Sequence, residues 1–365
     1  VKQWLETRQV LDRLASLASA GQRAALATVI RVRGSAYRHE GAKLLVAADG
    51  RTAGNVSGGC LEADVRELAL DVIRDGQPLR RAWCGSIDPI EAWDLGVGCE
   101  GEVELLLEPV DAPRPGERAL LDQEAPFVVI TRLDGAAPLP RLVLGRCVAS
   151  GTLGATAIDA VAQASSAAWL AEGRSGLRTV AGVPCFVEVF VPPPRLVILG
   201  AGDDAAVLAN LADDIGFRVH VVDRRPALLA AERFRSGVRR HEGDVETLRA
   251  TVPLDLQSYA VVMHHHFADD LAALGALMAT DVPYIGMLGP RQRTERMLVT
   301  LGAGIESALS RVYGPVGLDI GTDGAEQVAL SVVAEVLAIR SGRGAVSLRE
   351  RRAPIHAALA EVGGG

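Results

Sequence analysis

No stretch of this chain approaches the roughly 18 uninterrupted apolar residues of a membrane-spanning helix, so no membrane span is expected. Basic residues are not in excess either: the formal charge of -7 offers no positive field to a nucleic-acid backbone. Aromatic residues are scarce at 4%, yet 49% apolar against 23% charged residues suffices for ordinary globular cores and argues against disorder. The cysteines Cys60, Cys84, Cys99, Cys147 and Cys185 are odd in number and widely spaced, with no Cys-x-x-Cys pair and no zinc spacing. Reduced thiols are therefore expected, each either packed or reactive. The opening Val1-Lys2-Gln3-Trp4-Leu5-Glu6 reads as a polar-faced helix and not as a secretory signal, which points to the cytoplasm.

A length of 365 residues sets a soft expectation of two or three domains. The run Pro192 to Pro194 marks the break, giving a domain over 1–191, a proline linker over 192–194, a second domain over 195–341 and a tail over 342–365. The first domain predicts a helix to about Ser19, strands over 24–32, 42–47, 52–56, 81–84, 101–108, 127–132, 141–149 and 184–191, and helices over 61–74 and 156–171. Asp49-Gly50 is placed for a hairpin turn. The pattern reads as a mixed sheet within an α+β domain.

The second domain alternates strand and helix patterns, with strands at Leu196, Val219, Ala260 to His264 and Tyr284 to Met287 and a closing helix over 325–340. Such alternation predicts a doubly wound parallel sheet of Rossmann type, and therefore an α/β chain overall. Directly after Leu196-Val197-Ile198-Leu199 comes Gly200-Ala201-Gly202, where glycines allow a tight turn beneath a pyrophosphate. Asp223, about 20 residues on at the end of the next strand, is placed to hold ribose hydroxyls. Asp203 and Asp204, however, put two carboxylates on the first turn of the helix whose positive end would meet that phosphate. They satisfy the exposed amides themselves and repel an anion, which argues against ordinary hydride transfer with a nicotinamide cofactor. Arg224 and Arg225, and further on Arg291, Arg293 and Arg296, read either as phosphate holders or as solvated surface.

In the first domain Ser57-Gly58-Gly59-Cys60-Leu61-Glu62 joins a strand to an apolar-periodic helix, which sets Cys60 at or just before a helix start. A thiolate is stabilised there, and a thiol so placed can take up sulfur or meet a soft metal. The plainer alternative is a tight turn around a small packed cysteine, with Glu62 only capping the helix. A second glycine-bracketed cysteine, Cys99, lies in Gly96-Val97-Gly98-Cys99-Glu100-Gly101, and it forms a joint thiol site only if the fold brings it to Cys60. Cys84, Cys147 and Cys185 fall in apolar strand patterns and read as core. Neighbouring residues of an extended chain point to opposite faces, so His264-His265-His266 is a poor three-ligand metal set, and one histidine facing the crevice is the better reading.

Taken in order, these segments resemble the xanthine dehydrogenase accessory family, XdhC/CoxI, over nearly the whole chain to about residue 340. The resemblance rests on Gly34-Ser35, Arg38, Gly41-Ala42-Lys43, Ser57 to Glu62 and Gly98-Cys99 with Gly101 in the first half. In the second it rests on Gly200-Ala201-Gly202, Asp223 with Arg225-Pro226, His265 with Asp270, Tyr284-Ile285-Gly286 with Leu288-Gly289, and Gly317-Leu318-Asp319-Ile320-Gly321. It implies a chaperone of the molybdenum cofactor, carried as molybdopterin or in a nucleotide form. Such a protein shields the cofactor, assists its sulfuration with a cysteine desulfurase and hands it to a xanthine dehydrogenase-type apoenzyme. It also implies an accessory role more than a catalytic one, and it is compatible with a homodimer. By this resemblance Cys60 handles molybdenum or sulfur, Ser57, Gly58, Gly59, Glu62 and Cys99 support it, and Gly200, Gly202, Asp223 and His265 frame the nucleotide or pterin. Two alternatives stay open: an NAD-dependent oxidoreductase acting on a small substrate, and a ligand-free scaffold between desulfurase and hydroxylase.

Overall fold

Leu11, Leu14 and Leu17 recur at helical spacing, and with Trp4 and Val10 they bury one stripe of α1 (Lys2–Ser19). The computed structural model that shows this describes residues 2–34, 37–84, 102–113, 115–135, 137–146, 148–302 and 310–350. It divides into two units, Val1–Pro192 and Pro193–Gly365.

In the first unit β1 (Ala24–Arg33), β2 (Lys43–Ala47), β3 (Thr52–Gly54), α2 (Glu62–Asp75), β4 (Leu79–Cys84) and β5 (Glu102–Val110) build an antiparallel sheet ordered β3-β2-β1-β5-β4. After α3 (Pro115–Asp122), a second antiparallel sheet follows. It comprises β6 (Phe127–Arg132), β7 (Arg141–Gly145), β8 (Ala149–Thr152), β9 (Gly176–Val180) and β10 (Val183–Phe190), ordered β8-β7-β6-β10-β9, with α4 (Thr156–Glu172) between β8 and β9. The single mixed sheet expected is thus two antiparallel sheets, and the strand expected over 141–149 is a hairpin.

The reason lies in burial on both faces. Leu26 and Leu45 meet Phe127, Val129 and Phe190 of the other sheet in a shared core with α1. Their strand neighbours Ala25, Ala27 and Val46 bury under α2, and Val128 and Ile130 under α4. Such strands lose the polar alternation that would separate two sheets in the sequence.

Charge is buried with this stack. Lys43 of β2 donates from Nζ to Glu188 of β10, and both residues are 3% exposed. Arg141 of β7 reaches Glu108 of β5 at 2.8 Å and donates to Thr131 at 2.7 Å. Each pair ties one sheet to the other.

The second unit runs β11 (Arg195–Leu199), α5 (Asp203–Asp214), β12 (Arg218–Asp223), β13 (Arg239–Glu242), α6 (Val245–Arg249), β14 (Ser258–Val262), α7 (Phe267–Met278), β15 (Tyr284–Met287), α8 (Arg291–Thr300), β16 (Val312–Tyr313) and α9 (Ala325–Ser341). All pairings are parallel, in the order β13-β12-β11-β14-β15-β16. The order in which successive strands are added reverses between β11 and β14, the switch point where ligands of such sheets bind. Leu208 of α5 and Val332 of α9 fill one face, while Leu248, Leu274 and Met297 of α6, α7 and α8 fill the other. β13 and β16 are additions to the sequence reading: Arg-Arg-His-Glu is a polar edge strand and Val312–Tyr313 is two residues long, so neither makes an apolar run. Among the described residues, no helix is long and apolar enough to cross a membrane.

Removing one partner of a buried ion pair leaves the other charge stranded. Lys43→Met should therefore lower the stability of the first unit by about 3–5 kcal/mol in urea denaturation, and adding Glu188→Leu should recover most of the loss.

Candidate functional site

The loop between β3 and α2 is held by its own side chains. Ser57, 6% exposed, donates its hydroxyl to the Glu62 carboxylate and its amide to Glu62 Oε1 at 2.9 Å. The same hydroxyl oxygen accepts the amides of Gly59 and Leu61, each at 3.1 Å. Gly59 turns through φ +115°, a region that L side chains rarely adopt, and Gly58 lies against the ring of Tyr37. Burial alone would push the Glu62 carboxyl up, but the hydrogen bonds from Ser57 outweigh it and hold the group below its usual range. The loop thus closes around Ser57 and Glu62 and leaves the Cys60 side chain exposed, two residues ahead of the first residue of α2. Cys99, with the whole 96–101 loop, lies outside the described residues, as does Cys147. Cys185 is fully buried, and desolvation pushes its thiol up to about 11, which keeps it protonated and inert.

In the second unit Gly200 has φ +110°, and a Cβ there would lie 2.6 Å from the carbonyl oxygen of Met263. The glycine is required because the ends of β11 and β14 touch. Asp223, 2% exposed, closes the same loop. Its Oδ1 accepts the amide and Nε of Arg225, each at 2.9 Å, and its Oδ2 accepts the amide of Ala201 and Nη2 of Arg225, each at 2.8 Å. Burial opposes ionisation, but the Arg225 and Ala201 hydrogen bonds prevail and hold the carboxyl down at about 2. The acceptor positions expected to hold ribose hydroxyls are thus engaged with the protein's own groups. Gly202 sits at the N-cap of α5 with open space before it. Beyond it Asp203 pairs with Arg233 at 2.7 Å, and Asp204 stands 3.9 Å from His265.

The three histidines diverge. His264 directs Nδ1 at Asp270 Oδ1, 3.0 Å away, and its amide donates to the same oxygen at 3.0 Å. Asp270 is 1% exposed, and Arg293 Nη2 lies 2.7 Å from its other oxygen. An ionised carboxylate can only accept, so Nδ1 of His264 is the donor in this contact. His265 adopts φ +62°, a strained conformation for a residue with a Cβ, and is exposed. His266 stands at the N-cap position of α7 and its Nδ1 lies 3.1 Å from Asp269 Oδ2. Asp270, named with His265 for the family resemblance, orients His264. Among the described residues, no group of three or more His, Cys, Asp or Glu side chains is placed to hold a metal ion.

A cavity of about 490 Å³ opens beside these groups, at the ends of β12 and β14 and against α6 and α7. Arg224 lines it, 3.1 Å from Asp244 and 3.5 Å from Asp269. Sequence reasoning missed Asp244 and Asp269. The polar strand β13 that positions Asp244 carries no apolar signal, and Asp269 reads as an ordinary first-turn carboxylate.

Residues 17–82 match the XdhC and CoxI family, and residues 196–336 match the XdhC Rossmann domain. A Bacillus subtilis protein named as a probable xanthine dehydrogenase subunit is 30% identical over 87% of this chain and 94% of its own length. The Escherichia coli molybdenum cofactor insertion chaperone PaoD is 28% identical over 88% of this chain and 84% of its own. A crystal structure described as a xanthine dehydrogenase from Bacillus halodurans aligns with a TM-score of 0.71 at 28% identity, covering 93% of this chain and 98% of that one.

A carboxyl held low in the folded state contributes stability that is complete above about pH 4 and is lost as pH falls towards its folded value. Asp223→Asn should accordingly lower the urea midpoint of the second unit at pH 7, and the gap to wild type should narrow by about pH 2.5. A gap of equal size at both pH values would remove the carboxylate from this role.

Proposed function

Since the chain belongs to the XdhC and CoxI family, we propose that it is a molybdenum cofactor insertion chaperone serving a xanthine dehydrogenase-type enzyme. In this reading it binds the cofactor as cargo, shields it, assists replacement of an oxo ligand by sulfur from a cysteine desulfurase, and passes the product to the apoenzyme. The chain is an accessory factor and not a catalyst of substrate oxidation.

The observation that carries this reading is the exposed Cys60 on a loop fixed by Ser57 and Glu62. A sulfur ligand suits a soft metal centre, and a loop locked from behind presents it without loss of geometry. Ser57 and Glu62 act as positioning residues, because both are hydrogen-bonded to the loop itself. Among the described residues no set of three or four ligands converges with Cys60 as a resident metal would require, and an exposed thiol of this kind suits a passing cargo. In the second unit, Gly200, Gly202 and His265 border the switch point, and Asp223 shapes the loop from beneath. An NAD-dependent oxidoreductase is disfavoured by the same loop, since Asp203 and Asp204 occupy the helix start and Asp223 is already saturated.

Cys60→Ala should retain the fold by circular dichroism and lose most of the molybdenum that co-purifies with wild type from molybdenum-replete cells. Undiminished retention together with undiminished activation of the apoenzyme would reject the role of Cys60. Wild-type protein free of both molybdenum and pterin would favour the ligand-free scaffold, and tight binding in an NADH titration would favour the oxidoreductase.

A further inference from the structure

The first unit leaves in solvent two groups that folded chains more often bury, a thiol and an aromatic ring. Tyr37, 63% exposed, is the one aromatic side chain among the exposed large hydrophobic residues of the described chain. Cys60 is the exposed thiol of the loop between β3 and α2. The ring and that loop touch. A Cβ on Gly58 would stand 3.5 Å from Cγ of Tyr37 and 3.8 Å from each of its Cδ atoms, so the ring leans on Gly58, two positions before Cys60.

The turn that carries the ring is fixed as firmly as the loop that carries the thiol. Arg38, 7% exposed, donates through both Nη atoms to the Glu6 carboxylate of α1, Nη1 at 3.0 Å. Glu40 accepts the amide of Val32 at 3.0 Å, and the amide of Gly41 donates to the carbonyl of Val29 at 2.8 Å. The turn is thereby tied to α1 and to β1, while Ser57 and Glu62 tie the facing loop. With most of its surface in solvent the Tyr37 ring adds little to the stability of the fold. A ring presented on a fixed turn does supply contact area at small entropic cost. A thiolate takes a soft atom, and an aromatic face beside it favours a flat conjugated group carried next to that atom over a small saturated one.

We propose that Tyr37 is a positioning residue of the Cys60 site, its ring packing against a flat conjugated group bonded to the soft atom that Cys60 takes up. The assignment deepens the chaperone reading and rests on it for its biology, but the free thiol tests it without molybdenum.

Two disulfide-forming reagents make the comparison on the full chain, the flat dithiodipyridine and the small methyl methanethiosulfonate. In each reaction the Cys60 thiolate attacks a reagent sulfur, a mixed disulfide forms, and pyridinethiolate or methanesulfinate leaves. The rate at Cys60 is the difference between the chain and its Cys60→Ala variant. Tyr37→Ala should lower the ratio of the flat to the small reagent's rate by about threefold or more, as expected for one lost ring contact, and leave the small reagent's rate unchanged. Tyr37→Phe, which keeps the ring and loses the hydroxyl, should keep the wild-type ratio. An equal ratio in wild type and Tyr37→Ala, a Tyr37→Phe ratio as low as that of Tyr37→Ala, or equal slowing of both reagents would overturn the assignment. If it is overturned while Cys60→Ala still loses molybdenum, the chaperone reading stands without Tyr37. If the ratios come out as expected while Cys60→Ala keeps its molybdenum, the ring preference of the thiol stands and the chaperone role of Cys60 falls.

Discussion

One buried carboxylate sets the geometry of the second unit. Asp223 accepts four hydrogen bonds, from the amide of Ala201 and from the amide and guanidinium of Arg225, while its own carbonyl accepts the amide of Gly243. The loop after β11, the end of β12 and the turn after β13 are thereby fixed to a single residue. A low-dielectric site makes each of these bonds strong and makes any unpaired one costly, so the network holds as a whole. The position that a dinucleotide-binding loop would offer to ribose is filled by the protein itself. The open volume lies instead towards α6 and α7, where Arg224 spans two acidic helix starts.

In the first unit the corresponding constraint is the pair Lys43 and Glu188, buried together with Arg141 and Glu108. Buried ion pairs add little net stability against apolar packing, but a mispaired register would strand a charge. The two sheets are thus specified against sliding. On that base α2 packs through Val65, Ala69 and Val72, and the loop leading into it can hold Cys60 outward without disturbing the core. The same economy explains Ser57 and Glu62, which satisfy the amides of the turn and so remove the need for an outside ligand to order it.

Several features were legible because they depend on local order. The runs Leu196 to Leu199 and Ala260 to Met263 are continuously apolar, and Gly200 follows the first where a Cβ would strike the neighbouring chain. Other features were hidden because their signal is not local. The edge strand Arg239–Glu242 is polar, and the division of the first unit into two sheets is masked by strands buried on both faces. The histidine triplet shows the limit most clearly: spacing argues against a shared metal, but only the fold gives His264 to Asp270, sets His265 at positive φ and turns His266 to Asp269.

What the amino-acid sequence determined by itself was the alternation of elements, the parallel sheet of the second half and the cysteine at a helix start, since periodicity and turn residues act within a few positions. What tertiary structure decided was the use of each polar group. Asp223 closes a loop, Lys43 neutralises Glu188, and Asp244 with Asp269 borders a cavity. Partners 20 to 145 residues apart meet only when the chain has packed, and it is burial by those partners that turns a charged side chain into a lock or leaves it as a ligand.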